Sequence, residues 1–461
     1  MYRRRPRQSF REEEPPMKNL PVAGRGSLAD RTRLGWRPIF AAWVVFAFIL
    51  FKRSAAVCIR IPPLYGGELA ILVFTILFLQ RATAARFFKN PFGVIVAIYL
   101  LVAIPMMVAA YLDVGFQFAI HGATAYYAVF VYFGYAALFS RASQSYFIRT
   151  LYFVLVVSGV LTVLWSIPSI QPLVPRIGEV PIFGAGGGGY VFTTLGFAYV
   201  VIYGRELGYA KSVLLLLLSC LRYFMAFQRG CMLATVGVFA LLVHQRRTWS
   251  YRPWKPWRVL AMIALGSLVV GSVLIAPSST FSDHVLSQGT AALSIIGKSD
   301  FRSGSRDHRL EMWQRVAEET ISRDPWFGRG FREPLIEETF RSPHNCFVEI
   351  FGYMGIFGLV PALALYVLFP AMVFMQLVSR RHRPLEKDTL FYMCYAISFY
   401  GAAFFAPTLV SPYSALVSNF FFGAFLRHAE VTGLASPFQE RPWHARFIPR
   451  PNRPQNTCCS R

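Results

Sequence analysis

What most constrains this chain is the recurrence of apolar runs close to the length that crosses a lipid bilayer. Residues 92–111, "FGVIVAIYLLVAIPMMVAAY", run for twenty positions without a charge. About 20 consecutive apolar residues, wound as a helix, match the hydrocarbon thickness. Comparable runs recur at 36–51, 65–80, 118–139, 147–167, 190–204, 210–225, 230–243, 257–276, 346–378, 388–406 and 411–427. Backbone polar groups in lipid must be paired within the segment, which leaves helices as the spanning form for such runs. The expected class is therefore an all-α, polytopic integral membrane protein with about 12 transmembrane helices. Composition agrees: 55% of residues are hydrophobic, 15% are charged, and there are 43 Phe and 22 Tyr.

The chain divides into a basic tail (1–35), nine spans (36–276), a long hydrophilic loop (277–343), three further spans (344–428) and a second basic tail (429–461). The first 37 residues read as a polar, arginine-rich tail rather than a cleavable secretory signal. A net charge of +24 invites a nucleic-acid reading. The placement of the charge argues against it. The basic runs "MYRRRPRQ", "HQRRTWSYRPWKPWR" and "SRRHRPLEK" lie between or outside the apolar segments, as expected of cytoplasmic loops. No base-stacking platform accompanies them.

With a cytoplasmic N-terminus and alternating spans, Arg81, Arg86, Lys89, Arg141, Arg205, Lys211 and Arg380 fall inside. Asp113, a Pro/Gly-rich stretch with Glu179, and the loop 277–343 fall outside. One connection disagrees: Lys52, Arg53 and Arg60 lie outside. Either the first span is shorter and re-entrant, or these cations meet something anionic. The seven cysteines form no disulfide or metal framework and read as reduced, small hydrophobes. "FGAGGGGYVF" lacks the Lys-Ser/Thr of a phosphate loop and reads as a flexible connection.

The outer loop is nearly neutral in a strongly basic chain, and so long a loop between short ones points to function. Within it, "SRDHRLEMWQRVAEETI" is expected to be helical, capped near Ser305. Leu310, Trp313, Val316 or Ala317, and Ile321 mark its apolar stripe. Arg309 should face inward with Trp313, and Arg315 outward. Arg306, one turn before Arg309, competes for the same face. Asp324-Pro325 stops the helix, and Gly328 and Gly330 permit a tight turn. Arg229 stands at the outer end of an apolar helix, where a cation is a functional candidate. His344 and Asn345 open the span from 346; a boundary imidazole accepts a proton near neutral pH, and Asn345 either orients a substrate hydroxyl or caps the helix. Gly352, Gly355 and Gly358 follow, leaving room for a neighbouring helix or a lipid tail. Pro361 and Pro370 should bend this long span.

Taken in order, Arg229-Gly230, the Arg309-to-Trp313 spacing, "DPWFGRGF", His344-Asn345 and the Gly355-x-x-Gly358 spacing resemble the O-antigen ligase and polysaccharide polymerase family of bacterial inner-membrane proteins. The family's acidic residue before the glycine pair is replaced by Tyr353 and Met354; Glu349 stands one turn after Asn345. The resemblance implies a glycosyltransferase with an all-helical, GT-C-like architecture, in the inner membrane, with both termini cytoplasmic and the active site periplasmic. It implies a donor glycan on undecaprenyl diphosphate, transfer with inversion and no metal or other cofactor. It gives His344, with Asn345, the catalytic role, and Arg229 and Arg309, with Arg306 as the competitor, the diphosphate. Other polysaccharide assembly and export proteins are the implied partners, and nucleic acid is not.

Within that family, polymerisation of an exopolysaccharide or O-antigen repeat is the favoured reading. Its rival is ligation of finished glycan onto lipid A-core or a protein hydroxyl. A transporter of lipid-linked glycan is the reading from another class; it predicts internal repeats and mid-bilayer charges.

Overall fold

The polypeptide folds as a bundle of helices. The computed structural model describes residues 34–58, 60–61, 64–115, 123–165, 169–177, 180–183, 189–225, 229–245, 303–332, 335, 345–379, 386–403, 409 and 412–434. The expected span 257–276 and most of both tails lie outside the described residues, as does 277–302 of the long loop.

In chain order the helices are α1 (Trp36–Phe51), α2 (Arg53–Val57), α3 (Gly66–Phe78), α4 (Arg81–Lys89), α5 (Pro91–Val114), α6 (Ala123–Tyr126), α7 (Val129–Ala137), α8 (Arg141–Trp165), α9 (Gly189–Leu207), α10 (Tyr209–Met225), α11 (Arg229–Gln245), α12 (Ser303–Arg323), α13 (Cys346–Leu363), α14 (Phe369–Ser379), α15 (Lys387–Ala403) and α16 (Pro412–Val431). A π-helical segment, Ala364–Leu368, joins α13 to α14. Two small antiparallel hairpins complete the set: β1 (Arg60–Ile61) with β2 (Leu64–Tyr65), and β3 (Arg176–Ile177) with β4 (Val180–Pro181).

Among the described residues, α5, α8 and the 346–378 segment are each long and apolar enough to cross a bilayer. The pair α3 and α4, bent by 101°, forms a further candidate. The chain is thus an α-helical membrane protein. Two expectations need correction. The span placed at 147–167 begins earlier, at Arg141. The long span bends first at Gly355, whose backbone leaves the helix at φ 58° and ψ −153°. Pro361 lies inside α13, and Pro370, which has no N–H for the Tyr366 carbonyl four residues back, directly follows the π-helical stretch; that carbonyl accepts from the Tyr400 hydroxyl instead.

Close helix crossings are made by small residues. Gly134 of α7 faces the Phe420 carbonyl of α16, and Gly423 of α16 faces the Val131 carbonyl of α7; a Cβ on either would collide with backbone. In a bilayer, where lipid tails compete for apolar contact, such approach is what binds helices together. Aromatic rings fill the remainder. Phe74 packs against Phe78, Phe130, Phe133 and Phe420 at 5.4–6.2 Å, and Tyr395 stacks on Phe421 at 4.3 Å.

The two ends of the bundle differ. At one end Glu430 collects Arg86 (2.9 Å), Arg427 (3.1 Å) and the Tyr135 hydroxyl. Lys387 pairs with Glu206 there, and His428 lies buried between Gln144 and Thr389. The opposite end holds Lys52, Glu68, Asn345 and the Arg332–Asp113 ion pair (2.8 Å).

Candidate functional site

The site begins with the way α13 starts. Asn345 is its N-cap, in extended backbone, and its Oδ1 accepts from the amides of Phe347 (3.0 Å) and Val348 (3.2 Å). These are two of the donors that a helix start leaves without partners. Of the two roles open to Asn345, its hydrogen bonds serve the cap. The side chain is buried, so the cap fixes where the chain enters the bundle from residue 344. His344 itself lies outside the described residues.

Below this cap the helix opens at Gly355. A left-handed φ there frees the carbonyls of Gly352 and Tyr353 and the amides of Ile356 and Phe357 from helical pairing. The "DPWFGRGF" turn takes all four. Arg329 N–H donates to Gly352 O (2.9 Å) and Gly330 N–H to Tyr353 O (2.9 Å); Ile356 N–H donates to Pro325 O (2.9 Å) and Phe357 N–H to Trp326 O (3.1 Å). The turn is preset by Asp324, whose Oδ1 accepts from the amides of Trp326 (2.9 Å) and Phe327 (3.1 Å). Gly328 and Gly330 each adopt φ 71°. The glycine stripe thus admits the expected neighbouring helix at Gly352, through Val316 of α12, and in addition a turn of the loop at Gly355. A Cβ on Gly328 would come within 2.6 Å of Gly355 N, so only glycine lets the two backbones meet.

Aromatic contacts and an ion pair hold the docked turn. Phe331 stacks on Tyr353 at 5.3 Å, and Trp326 and Phe327 lie 5.6 and 5.0 Å from Phe357. Arg329, with 7% of its side chain exposed, pairs with Glu319 of α12 and donates to Leu335 O (3.4 Å). Arg329→Ala is expected to lower stability by about 1–2 kcal/mol, since it removes a buried guanidinium's hydrogen bonds to the turn while Glu319, a third exposed, keeps Arg315. Arg329→Lys should not restore it, because an ammonium lacks the guanidinium fork. Thermal unfolding in detergent measures this. An unchanged midpoint for Arg329→Ala would show that the pair does not hold the turn.

Helix α12 lies on α13, but rotated from the expected stripe. It begins at Ser303 rather than at a Ser305 cap, and it buries Met312, Val316 and Thr320. Leu310 and Ile321, expected inside, are 47% and 60% exposed. The cause is the partner surface: Val316 sits over Gly352, where a Cβ would lie 3.0 Å away. The absence of a side chain on α13, rather than hydrophobicity on α12, sets the rotation. Arg315 faces water and pairs with Glu319 (2.8 Å), as expected. Arg306 and Arg309 belong to the described helix, and Arg229 is the first residue of α11, at the Asn345 end; the side chains of all three lie outside the described residues.

Two cations at the same end were missed by the sequence reading or left unexplained. Arg222 lies within α10, 2% exposed, and its Nη1 donates to Ser158 Oγ of α8 (2.9 Å). The signal was legible, since an arginine inside an apolar run marks a functional position by default. Lys52, flagged as a topological misfit, is buried and is the one non-glycine among the described residues with positive φ, at 49°. Burial, and then the Arg222 charge, lower its pKa from 10.5 to about 7. Strained backbone at a buried cation is a recurring feature of ligand-binding positions.

The architecture now stands as a helical membrane bundle with a capped, broken helix, a loop turn locked into the break, and arginines and a lysine gathered at one end. Residues 214–363 match the O-antigen ligase family (Wzy_C). The matched stretch, about a third of the chain, contains Arg222, Arg229, α12, the docked turn, Asn345 and α13. No curated protein matches the chain.

Proposed function

With the O-antigen ligase family of residues 214–363 as premise, we propose that this membrane protein polymerises exopolysaccharide or O-antigen repeat units. In this reading glycan passes from an undecaprenyl-diphosphate donor to a sugar hydroxyl of another lipid-linked repeat. The architecture is GT-C-like, the membrane is the bacterial inner membrane, and the Asn345 end is periplasmic. The opposite end carries Arg81, Arg86, Lys89, Arg141, Arg205 and Lys211, which supports its being cytoplasmic. The observation that carries the reading is the family match, together with the turn locked into α13 at residues 352–357, on the helix that Asn345 caps, inside the matched segment.

The chemistry asked of the residues is simple to state. His344 accepts the proton of the acceptor hydroxyl as its oxygen bonds to the anomeric carbon. The bond from that carbon to the diphosphate oxygen breaks, and the electron pair leaves with the diphosphate. Attack from the face opposite the leaving group inverts the centre. Arg229 and Arg309, with Arg306 as the alternative, neutralise the charge growing on the diphosphate. A guanidinium does this as a permanent, two-pronged donor, and it acts most strongly in a site of low dielectric. Asn345, through the cap, positions the backbone that carries His344.

Reconstitution of the purified chain in liposomes with lipid-linked repeat units tests the reading. New chains should form without any added core lipid. Product that forms only when a lipid A-core or protein acceptor is supplied would make the protein a ligase, and the polymerase reading would be abandoned.

A further inference from the structure

A groove of about 430 Å³ runs between α1 and α3, and no part of the site above uses it. Ala47 and Phe48 of α1 form one wall, Leu69 and Val73 of α3 the other, and Ile177 and Ile182 of the β3–β4 hairpin region close one end. The lining is almost wholly apolar. A continuous apolar slot on two membrane helices suits one hydrocarbon chain.

The closed end carries charge. Arg53, exposed, precedes the lining residue Ser54 at the break where α1 ends. Ser54 Oγ donates to Pro181 O, which ties this break to the hairpin. Arg176, exposed, is the residue before the lining Ile177. Glu68, in the first turn of α3, accepts from the hydroxyls of Tyr126 and Tyr127 and the amide of Tyr65. An apolar slot ending in cations complements a lipid phosphate. It also accounts for the connection whose charge breaks the cytoplasmic bias: these cations sit where an anion is to be met.

We propose that this groove seats the polyprenyl chain of the lipid-linked acceptor, with Arg53 and Arg176 meeting its phosphate. The proposal rests on the polymerase reading, in which two lipid-linked partners meet and therefore need two seats. The groove is built from α1, α3 and the hairpin, whereas Arg229, Arg309 and His344 belong to α11, α12 and the approach to α13. Arg53 follows Lys52, which lies close enough to Arg222 for their charges to interact, and Arg222 is near the end of α10, one short connection before Arg229. The acceptor's head group is thereby held at the same end of the bundle as the donor's.

Cys58 lines the groove and is solvent-exposed, which gives a native reporter. In the full-length protein, undecaprenyl monophosphate should slow maleimide labelling of Cys58, read by peptide mass spectrometry, by about tenfold, while phosphatidylglycerol at equal concentration should not. No protection, or equal protection by phosphatidylglycerol, overturns the proposal. Val73→Trp and Ala47→Trp, which obstruct the groove from opposite walls, should each abolish the protection. In transfer assays they should lower by about tenfold the ratio of rates with a lipid-linked acceptor to those with its water-soluble form. An equal loss with both acceptors would mean that the groove does not seat the acceptor. Because labelling needs no turnover, protection without polymer formation would leave the groove standing and sink the polymerase reading. Polymer formation with Cys58 unprotected would do the reverse.

Discussion

Gly355→Ala is expected to lower glycan transfer about 100-fold while leaving the protein inserted in the membrane. The reason is local. Gly355 occupies a backbone region essentially closed to other residues, and forcing alanine there costs about 1–3 kcal/mol. Its Cβ would also be driven against the Trp326 carbonyl and 2.7 Å from Gly328 N, and backbone atoms yield little. Such overpacking adds about 1–3 kcal/mol. The chain escapes by releasing the turn, with loss of the four interlocking hydrogen bonds, each worth about 0.5–1.5 kcal/mol net. A shift of about 1 Å in groups that hold a substrate is enough for a loss of this size. Gly330→Ala provides the contrast. It carries a similar φ of 71°, but open space surrounds its Cβ position. Only the left-handed strain of about 1–2 kcal/mol applies there. If the two variants lose activity equally, the interlock is not what the site depends on.

His344→Ala is expected to cut transfer by about 10²–10⁴-fold, the usual contribution of a positioned base. Membrane abundance should not change, and lipid-linked single repeats should accumulate on the outer face in cells. Accumulation on the cytoplasmic face would instead indicate a transporter. Asn345→Ala separates position from chemistry. Losing an N-cap costs about 1 kcal/mol, so it should loosen the start of α13 and reduce transfer less than loss of the base. Asn345→Asp, which keeps a capping oxygen, should recover most of that loss. Failure of Asn345→Asp to recover would point to a direct role for the amide at the substrate.

The site was legible in the sequence to different depths. Arg229, Arg309 and His344 were candidates because charge and imidazole at the edge of apolar runs are costly unless used, and their side chains lie outside the described residues. Arg222 stood out less, although it is inside a run, because it falls three residues from the end of α10, where an arginine can be taken to reach the interface. The stripe of α12 was misjudged for a different reason. Periodicity finds the most apolar face of a helix, while the buried face is the one that fits its neighbour, and the neighbour here is the glycine of α13 at position 352.

Local chemistry alone determined the helical class, the membrane, the nearly neutral long loop in a basic chain, the Asp324-Pro325 stop and the cap at Asn345. Each follows from water, lipid or nearest neighbours along the chain, which a sequence displays directly. Tertiary structure alone decided that α13 breaks at Gly355, that the turn from 324 to 331 fills the break, and that Lys52 is brought near Arg222. Those outcomes depend on backbone groups distant in sequence finding each other's unpaired hydrogen bonds and on buried charges sharing one end of the bundle. No residue records in its own identity which remote partner will complete it.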